Sequence, residues 1–318
     1  MEVTDVVDVR VVSWNTFLVP YLAEERTQRL RNMMSALLEL RPLPDVICLQ
    51  ELFFQKYVRM VAEVLSVSYH ICDGAKTKAY PPWFLPGANI GGLFYSIRKT
   101  GLLTLVRNCW NLECATLKYF SAEAPDWKFW QGDGYVDKGY QWTQLTNQDT
   151  GERFGIVNTH LQAYDGYDRI REKQLTQIAR RIAGPSVVMP VLIVGDFNAK
   201  EDSRVFRFMT ERLRWKYLSQ DSAYVCSNGV SLPLRATGTV DHVFGVGRAF
   251  HPTGVSSVSI CNRRKAKPFS DHDGVVIDIT LPNASETAAR YARLWKQTMT
   301  RRALPLHLVT LWRALKAI

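Results

Sequence analysis

Along this chain, short apolar runs stop repeatedly at a polar side chain, and the stretches between them return to apolar positions at helical spacing. VRVVSWNTF reads as a strand ending near Asn15. PDVICLQE reads as a second strand, buried through Val46, Ile47, Cys48 and Leu49 and stopping at Glu51. Between them, EERTQRLRNMMSALLEL repeats Leu30, Met33, Met34, Leu37 and Leu38 at the spacing of one helix face. Further on, FGIVNTH ends at His160, residues 168–183 form a basic amphipathic helix, and VLIVGDFNAKEDS carries four apolar residues straight into Gly195, Asp196 and Asn198. TGTVDHVF and FSDHDGVVIDI add strands that bring Asp241 with His242 and Asp271 with His272. The region from about 72 to 135 is rich in Pro, Gly and Trp, has weak periodicity, and is expected to be loop-heavy.

Composition narrows the class. A chain of 318 residues with 47% hydrophobic content buries a sizeable core as one large domain or two ordinary ones. Its formal net charge of +10 favours a polyanionic partner: nucleic acid, acidic lipid headgroups or phosphorylated substrates. Six scattered cysteines without a CxxC pair read as free thiols in a reducing compartment rather than a zinc site. The acidic start MEVTDVVDVRVVSW has the wrong order for a secretory signal, and no apolar run approaches the ~20 residues that span a bilayer. A cytoplasmic protein with peripheral membrane contact is expected.

One Asn or Glu at a strand end is ordinarily structural. Here the series is long: Asn15, Glu51, His160, Asp196 with Asn198, Asp241 with His242, and Asp271 with His272. Such a set builds a pocket across a sheet edge, where a rigid backbone holds ligands in place. Asn15, Glu51 and Asp196 are hard oxygen donors that suit Mg²⁺, with Mn²⁺ as the alternative. Histidines beside acids supply proton transfer near neutral pH. Metal and imidazole together point to phosphate-ester hydrolysis. The chain has no GxSxG elbow and no glycine-rich nucleotide loop.

In this order, WNTF, LQE, NTHLQA, GDFNA, TVDHVF and SDHDGV resemble the endonuclease/exonuclease/phosphatase superfamily, the deoxyribonuclease-like metal phosphodiesterases, over roughly residues 8 to 280. THLQA at 159–163 and DKGY at 137–140 are similar to signatures of its neutral sphingomyelinase branch. The resemblance implies an α/β (α+β) fold of four layers, α/β/β/α, in which two packed mixed β-sheets are flanked by helices. It implies a catalytic domain over 1–283 and a basic amphipathic helical extension over 284–318. It also implies roles. Glu51 is the principal Mg²⁺ ligand with Asn15 beside it, Asp196 and Asn198 orient water and hold a phosphate oxygen, and His272 is the general base. Asp271 is its neighbouring carboxylate and a further metal ligand. His160 stabilises the transition state or leaving group, Lys138 places positive charge near the phosphate, and Asp241 supports the catalytic end of the sheet.

The sequence departs from that pattern at two places. His242 stands where relatives commonly carry an aromatic, and SDHDG replaces the usual SDHYP, putting Asp273 and Gly274 beside the base. His242 is expected to pack or hydrogen-bond rather than act as a second base. Trp83, Phe84 and Leu85 between prolines form either a buried loop anchor or an apolar finger for a bilayer interface. After Asn283, Arg290, Arg293, Lys296, Arg301, Arg302, Arg313 and Lys316 face only Glu286, with Leu308, Leu311, Trp312, Leu315 and Ile318 at helical spacing and Pro305 dividing the segment. That end reads as a membrane-surface element. The expected activity is phospholipase-C-type cleavage of sphingomyelin or a close phospholipid into ceramide and a phosphorylated headgroup. A nuclease or phosphoinositide phosphatase on the same scaffold, and a docking protein with a dead site, are the alternatives. No protein partner is expected, and the chain is expected to be a monomer.

Overall fold

The computed structural model describes residues 7–18, 25–74, 77–80, 95–98, 100–123, 136–219, 223–225, 231–233, 240–247, 270, 272 and 274–281. Two mixed sheets are built from strands β1 (Val7–Asn15), β2 (Val46–Gln50), β3 (Tyr69–Cys72), β6 (Leu103–Arg107), β7 (Trp110–Tyr119), β8 (Gly139–Asn147), β9 (Arg153–His160), β10 (Val191–Asp196), β11 (Lys216–Tyr217), β14 (Asp241–Val246) and β15 (Val275–Leu281). One sheet runs β15-β1-β2-β6-β3 and the other β11-β14-β10-β9-β8-β7. Each contains one parallel pair, β1 with β2 and β10 with β9, in an otherwise antiparallel sheet. Two short pairs stand apart: β4 (Thr77–Tyr80) with β5 (Tyr95–Arg98), and β12 (Ala223–Val225) with β13 (Ser231–Pro233).

Strand alternation sorts the side chains into layers. Val9 and Val11, Val46 and Cys48, Phe154 and Ile156, Leu192 and Val194, and Ile277 and Ile279 point inward and form the core between the sheets. Their sequence neighbours Val12, Trp14, Ile47, Leu49 and Val276 point outward, against helices α1 (Arg26–Glu39) and α2 (Gln55–Leu65). On the other side Val157, Val191, Ile193 and Phe244 meet helix α3 (Asp168–Ile182), with Val205 of the short helix α5 (Arg204–Arg207) and Met209 of the π turn that follows it. A one-turn helix α4 (Pro185–Val188) leads into β10. The chain is therefore an α/β/β/α sandwich of two packed mixed sheets with flanking helices.

Two expectations need correction. Residues 103–119 are not loop but a five-residue and a ten-residue strand. The periodicity is weak because β7 is an edge strand, largely exposed, with a register shift between Leu112 and Cys114. Asp241 and His272 do not finish strands. Asp241 opens β14 and His272 precedes β15, and both strands are antiparallel to their neighbours, so the entry of each meets the exit of β10 or β1. The expected sheet edge survives because direction reverses along with position. Leu38 is only partly buried, whereas Leu30, Met33, Met34 and Leu37 are the buried face of α1. The 284–318 extension, Trp83, Phe84, Leu85, Asp271 and Asp273 lie outside the described residues.

Candidate active site

The inward face that is apolar along most of each strand turns polar at one end. Ser13 and Asn15 follow Val11, Gln50 follows Cys48, Asn158 and His160 follow Ile156, and Asp196 follows Val194. Register then brings these ends together. Asn15 pairs with Gln50 across β1 and β2, and Asp196 is opposite both His160 and Asp241. Glu51, one residue past β2, sits at φ 60, a left-handed conformation uncommon for a residue with a side chain. Gly101 supports that turn: a Cβ there would lie 2.7 Å from Glu51 Cα, and Leu52 N–H donates to the Gly101 carbonyl at 2.9 Å.

Asn15 links the carboxylates of the two sheets. Its Nδ2 donates to Glu51 Oε1 at 3.1 Å and to Asp196 Oδ2 at 2.9 Å, while its Oδ1 accepts from Phe17 N–H. His160 Nε2 lies 2.9 Å from Lys138 Nζ, 3.5 Å from Asp196 Oδ2 and 3.9 Å from Glu51 Oε1. His272 Nδ1 is 2.5 Å from Asp241 Oδ2, and its Nε2 faces Asp196 Oδ2 at 4.0 Å. The carboxylate that orients His272 among the described residues is thus Asp241. Asn198, at φ 48, donates its backbone N–H to Asp196 Oδ1 at 2.8 Å and its Nδ2 to the Leu161 carbonyl at 3.0 Å. Glu51, Lys138, His160, Asp196, Asn198, Asp241, His272 and Asn15 are therefore connected in one constellation.

Its electrostatics are those of charge held out of water. Burial pushes the Glu51 carboxyl up to about 7, against the opposing pull of Asn15 and Lys138. Burial, and then the nearby Asp241, likewise raise Asp196. His160 is held well below the usual imidazole range, first by burial and then by Lys138 and His272. Glu51 Oε2 is buried without a hydrogen-bond partner among the described residues. One ligand atom each from Glu51, His160 and Asp196 lie within 4.8 Å of one another, and Asp196, Asp241 and His272 form a second such group. A divalent cation fits the first group: it would satisfy the orphaned oxygen and neutralise carboxylates that are otherwise costly to ionise. The second is accounted for by the short Asp241–His272 bond.

Two residues behind the site carry no role in the sequence reading. Asn158 bridges the sheets: its Oδ1 accepts from Gln50 Nε2 at 2.8 Å, and its Nδ2 lies 3.2 Å from the Leu49 carbonyl, 3.1 Å from the Leu103 carbonyl and 3.3 Å from Thr104 Oγ1. Ser270 donates its hydroxyl to the Asn15 carbonyl at 2.6 Å and accepts the His272 N–H at 3.1 Å. The signal for Asn158 was available, since a polar residue two positions before His160 in an otherwise apolar strand shares its inward face. Gly274 lies against the Trp14 ring, where a Cβ would approach to 3.1 Å. Trp14 Nε1 in turn donates to the His272 carbonyl.

A sequence model described as the Endonuclease/Exonuclease/phosphatase family matches residues 12–272. No curated protein matches the chain in sequence. Among solved structures, the human Nocturnin catalytic domain with bound sulfate superposes with a TM-score of 0.62 at 20% identity, covering 87% of this chain and 97% of that one. Sphingomyelinase C from Streptomyces griseocarneus gives 0.61 at 17%, covering 86% and 99%. TDP2 of D. rerio, complexed with a single-strand DNA product, gives 0.58 at 16%, covering 85% and 98%. At these identities the likenesses speak to the fold alone.

Proposed function

Because the chain belongs to the Endonuclease/Exonuclease/phosphatase family of hydrolases, we propose that it is a Mg²⁺-dependent phosphodiesterase of the phospholipase C type, acting on sphingomyelin or a closely related phospholipid. The observation that carries the reading is the convergence of Glu51, His160, Asp196 and the Asp241–His272 pair at one end of the inter-sheet layer. The substrate class rests on the THLQA and DKGY motifs, whose Lys138 and His160 are in contact.

Glu51 and Asp196 would hold the cation beside His160, with Asn15 positioning both carboxylates. The bound ion supplies polarisation of a phosphoryl oxygen and charge neutralisation. Asp241 accepts the Nδ1 proton of His272, which leaves Nε2 as the base that takes a proton from water. Asp196 and Asn198 orient that water and a phosphate oxygen. As the water oxygen bonds to phosphorus, the P–O bond to ceramide breaks, and the departing oxygen takes a proton from the Lys138–His160 pair. His160, held neutral by its burial, can accept that proton from Lys138 and pass it to the departing oxygen. No covalent enzyme intermediate is required. The enzyme would work peripherally at a cytoplasmic membrane surface.

The net charge of +10 favours a second reading, a nuclease whose Lys and Arg neutralise backbone phosphates. A panel of sphingomyelin, lysophospholipid, phosphoinositide, DNA and RNA, each with Mg²⁺ and with chelator, separates the two. Choline phosphate release from sphingomyelin vesicles is expected, lost with chelator and lowered on the order of 10²–10⁴-fold by His272→Ala. Plasmid nicking without any lipid cleavage would overturn the lipid assignment in favour of the nuclease.

A further inference from the structure

His242 is the buried imidazole that the chemistry above does not use. It lies opposite Gly195 in the β14–β10 register, one position from the Asp196–Asp241 pair. Alternation turns its side chain away from the site and into an aromatic box, with ring centroids of Phe206, Tyr217, Phe197 and Phe244 at 5.3, 5.6, 5.8 and 6.0 Å. From there Nε2 reaches the Ala199 carbonyl at 2.6 Å, while Nδ1 is buried with no hydrogen-bond partner among the described residues. With a carbonyl as its partner, Nε2 carries the proton and Nδ1 the lone pair. A phenyl ring would fill the same box and leave no orphaned nitrogen. The one thing imidazole adds is the bond to Ala199.

That bond lands on the turn that carries the water-orienting groups. The turn leaves β10 at Asp196, passes through Asn198 at φ 48, and is tied to β14 and the residue before it by two bonds: Phe197 N–H to the Val240 carbonyl at 2.9 Å, and His242 to Ala199. Asp241, which holds His272, stands between those two anchors. We propose that His242 is a positioning residue: its Nε2–H bond to Ala199 fixes the turn bearing Asp196 and Asn198 relative to the Asp241–His272 pair. The inference rests on the phosphodiesterase reading of the site.

The test compares His242→Phe, which keeps the packing and deletes the donor, with His242→Gln, which keeps an amide donor in reach of Ala199. The probe is bis-p-nitrophenyl phosphate with Mg²⁺, read as separate kcat and KM, alongside the melting temperature of each variant. Misplacing the turn is expected to lower kcat about tenfold to a hundredfold in the Phe variant with KM little changed, and Gln is expected to recover most of the loss. A Phe variant with wild-type kcat would overturn the proposal. So would equal losses in both variants, which would mark His242 as packing alone. The nitrogen spectrum of the wild type decides the tether without any turnover: a protonated Nε2 and bare Nδ1 are expected, and the opposite tautomer would refute the bond. A wild type that cleaves no phosphodiester yet shows the expected tautomer would sink the function while leaving the tether in place.

Discussion

Glu51 is a carboxyl whose burial opposes its charge, and an experiment can read the consequence. Its folded-state pKa of about 7 lies above the ordinary 4.5, so the folded protein keeps a proton that the unfolded chain has released. The stability this contributes is fully present below about pH 4.5 and lost as pH rises toward 7. His160 and His242 shift the other way and would blur a single profile. A comparison with Glu51→Gln cancels them. In chelator, the glutamine variant is expected to gain on the wild type from pH 4.5 upward, by on the order of 3 kcal/mol at pH 7.5, and to gain nothing further above that. Urea unfolding across the range checks this. A gap independent of pH would mean that burial does not raise the carboxyl.

Elements with a period of their own were legible: β1, α1, β2, α3 and β10 stand within a residue or two of where apolar spacing puts them. Among the missed strands, β6 and β7 lack a clean period because one is short and the other is a half-wet edge. The polar ends of β1, β2, β9 and β10 were legible as site residues for the same reason, each interrupting an apolar run. The pairing of Asp241 with His272 was not, since sequence adjacency favoured Asp271 and only antiparallel register brings residue 241 across. The polar place of Asn158 on an inward face was legible, but its partners were not, because they belong to the other sheet. Asn158 is a buried amide whose removal leaves Gln50 and the Leu49 and Leu103 carbonyls with fewer partners. Asn158→Ala is expected to cost about 3 kcal/mol, and a double-mutant cycle with Gln50→Ala to show a coupling of at least about 0.5 kcal/mol, both read by chemical unfolding. Strict additivity would mean that the inter-sheet bond contributes nothing.

At the scale of the molecule, the site is a seam. Glu51 follows a strand of one sheet, and His160 and Asp196 end strands of the other, so the candidate cation ligands span the layer that joins them. An ion bound there binds the assembled sandwich and not the separated sheets. Its binding free energy is therefore stability of the whole fold. At a hundred times its dissociation constant, Mg²⁺ is expected to add about 2.7 kcal/mol, raising the melting temperature on the order of 5 °C for a chain of this size. Amide exchange should slow at the ends of both β2 and β10, because opening either sheet releases the ion. Asp196→Asn and Glu51→Gln should each abolish the response, although they sit on different sheets. A rise that persists undiminished in Glu51→Gln would place the ion away from the seam, and protection confined to β10 would mean that one sheet alone binds it.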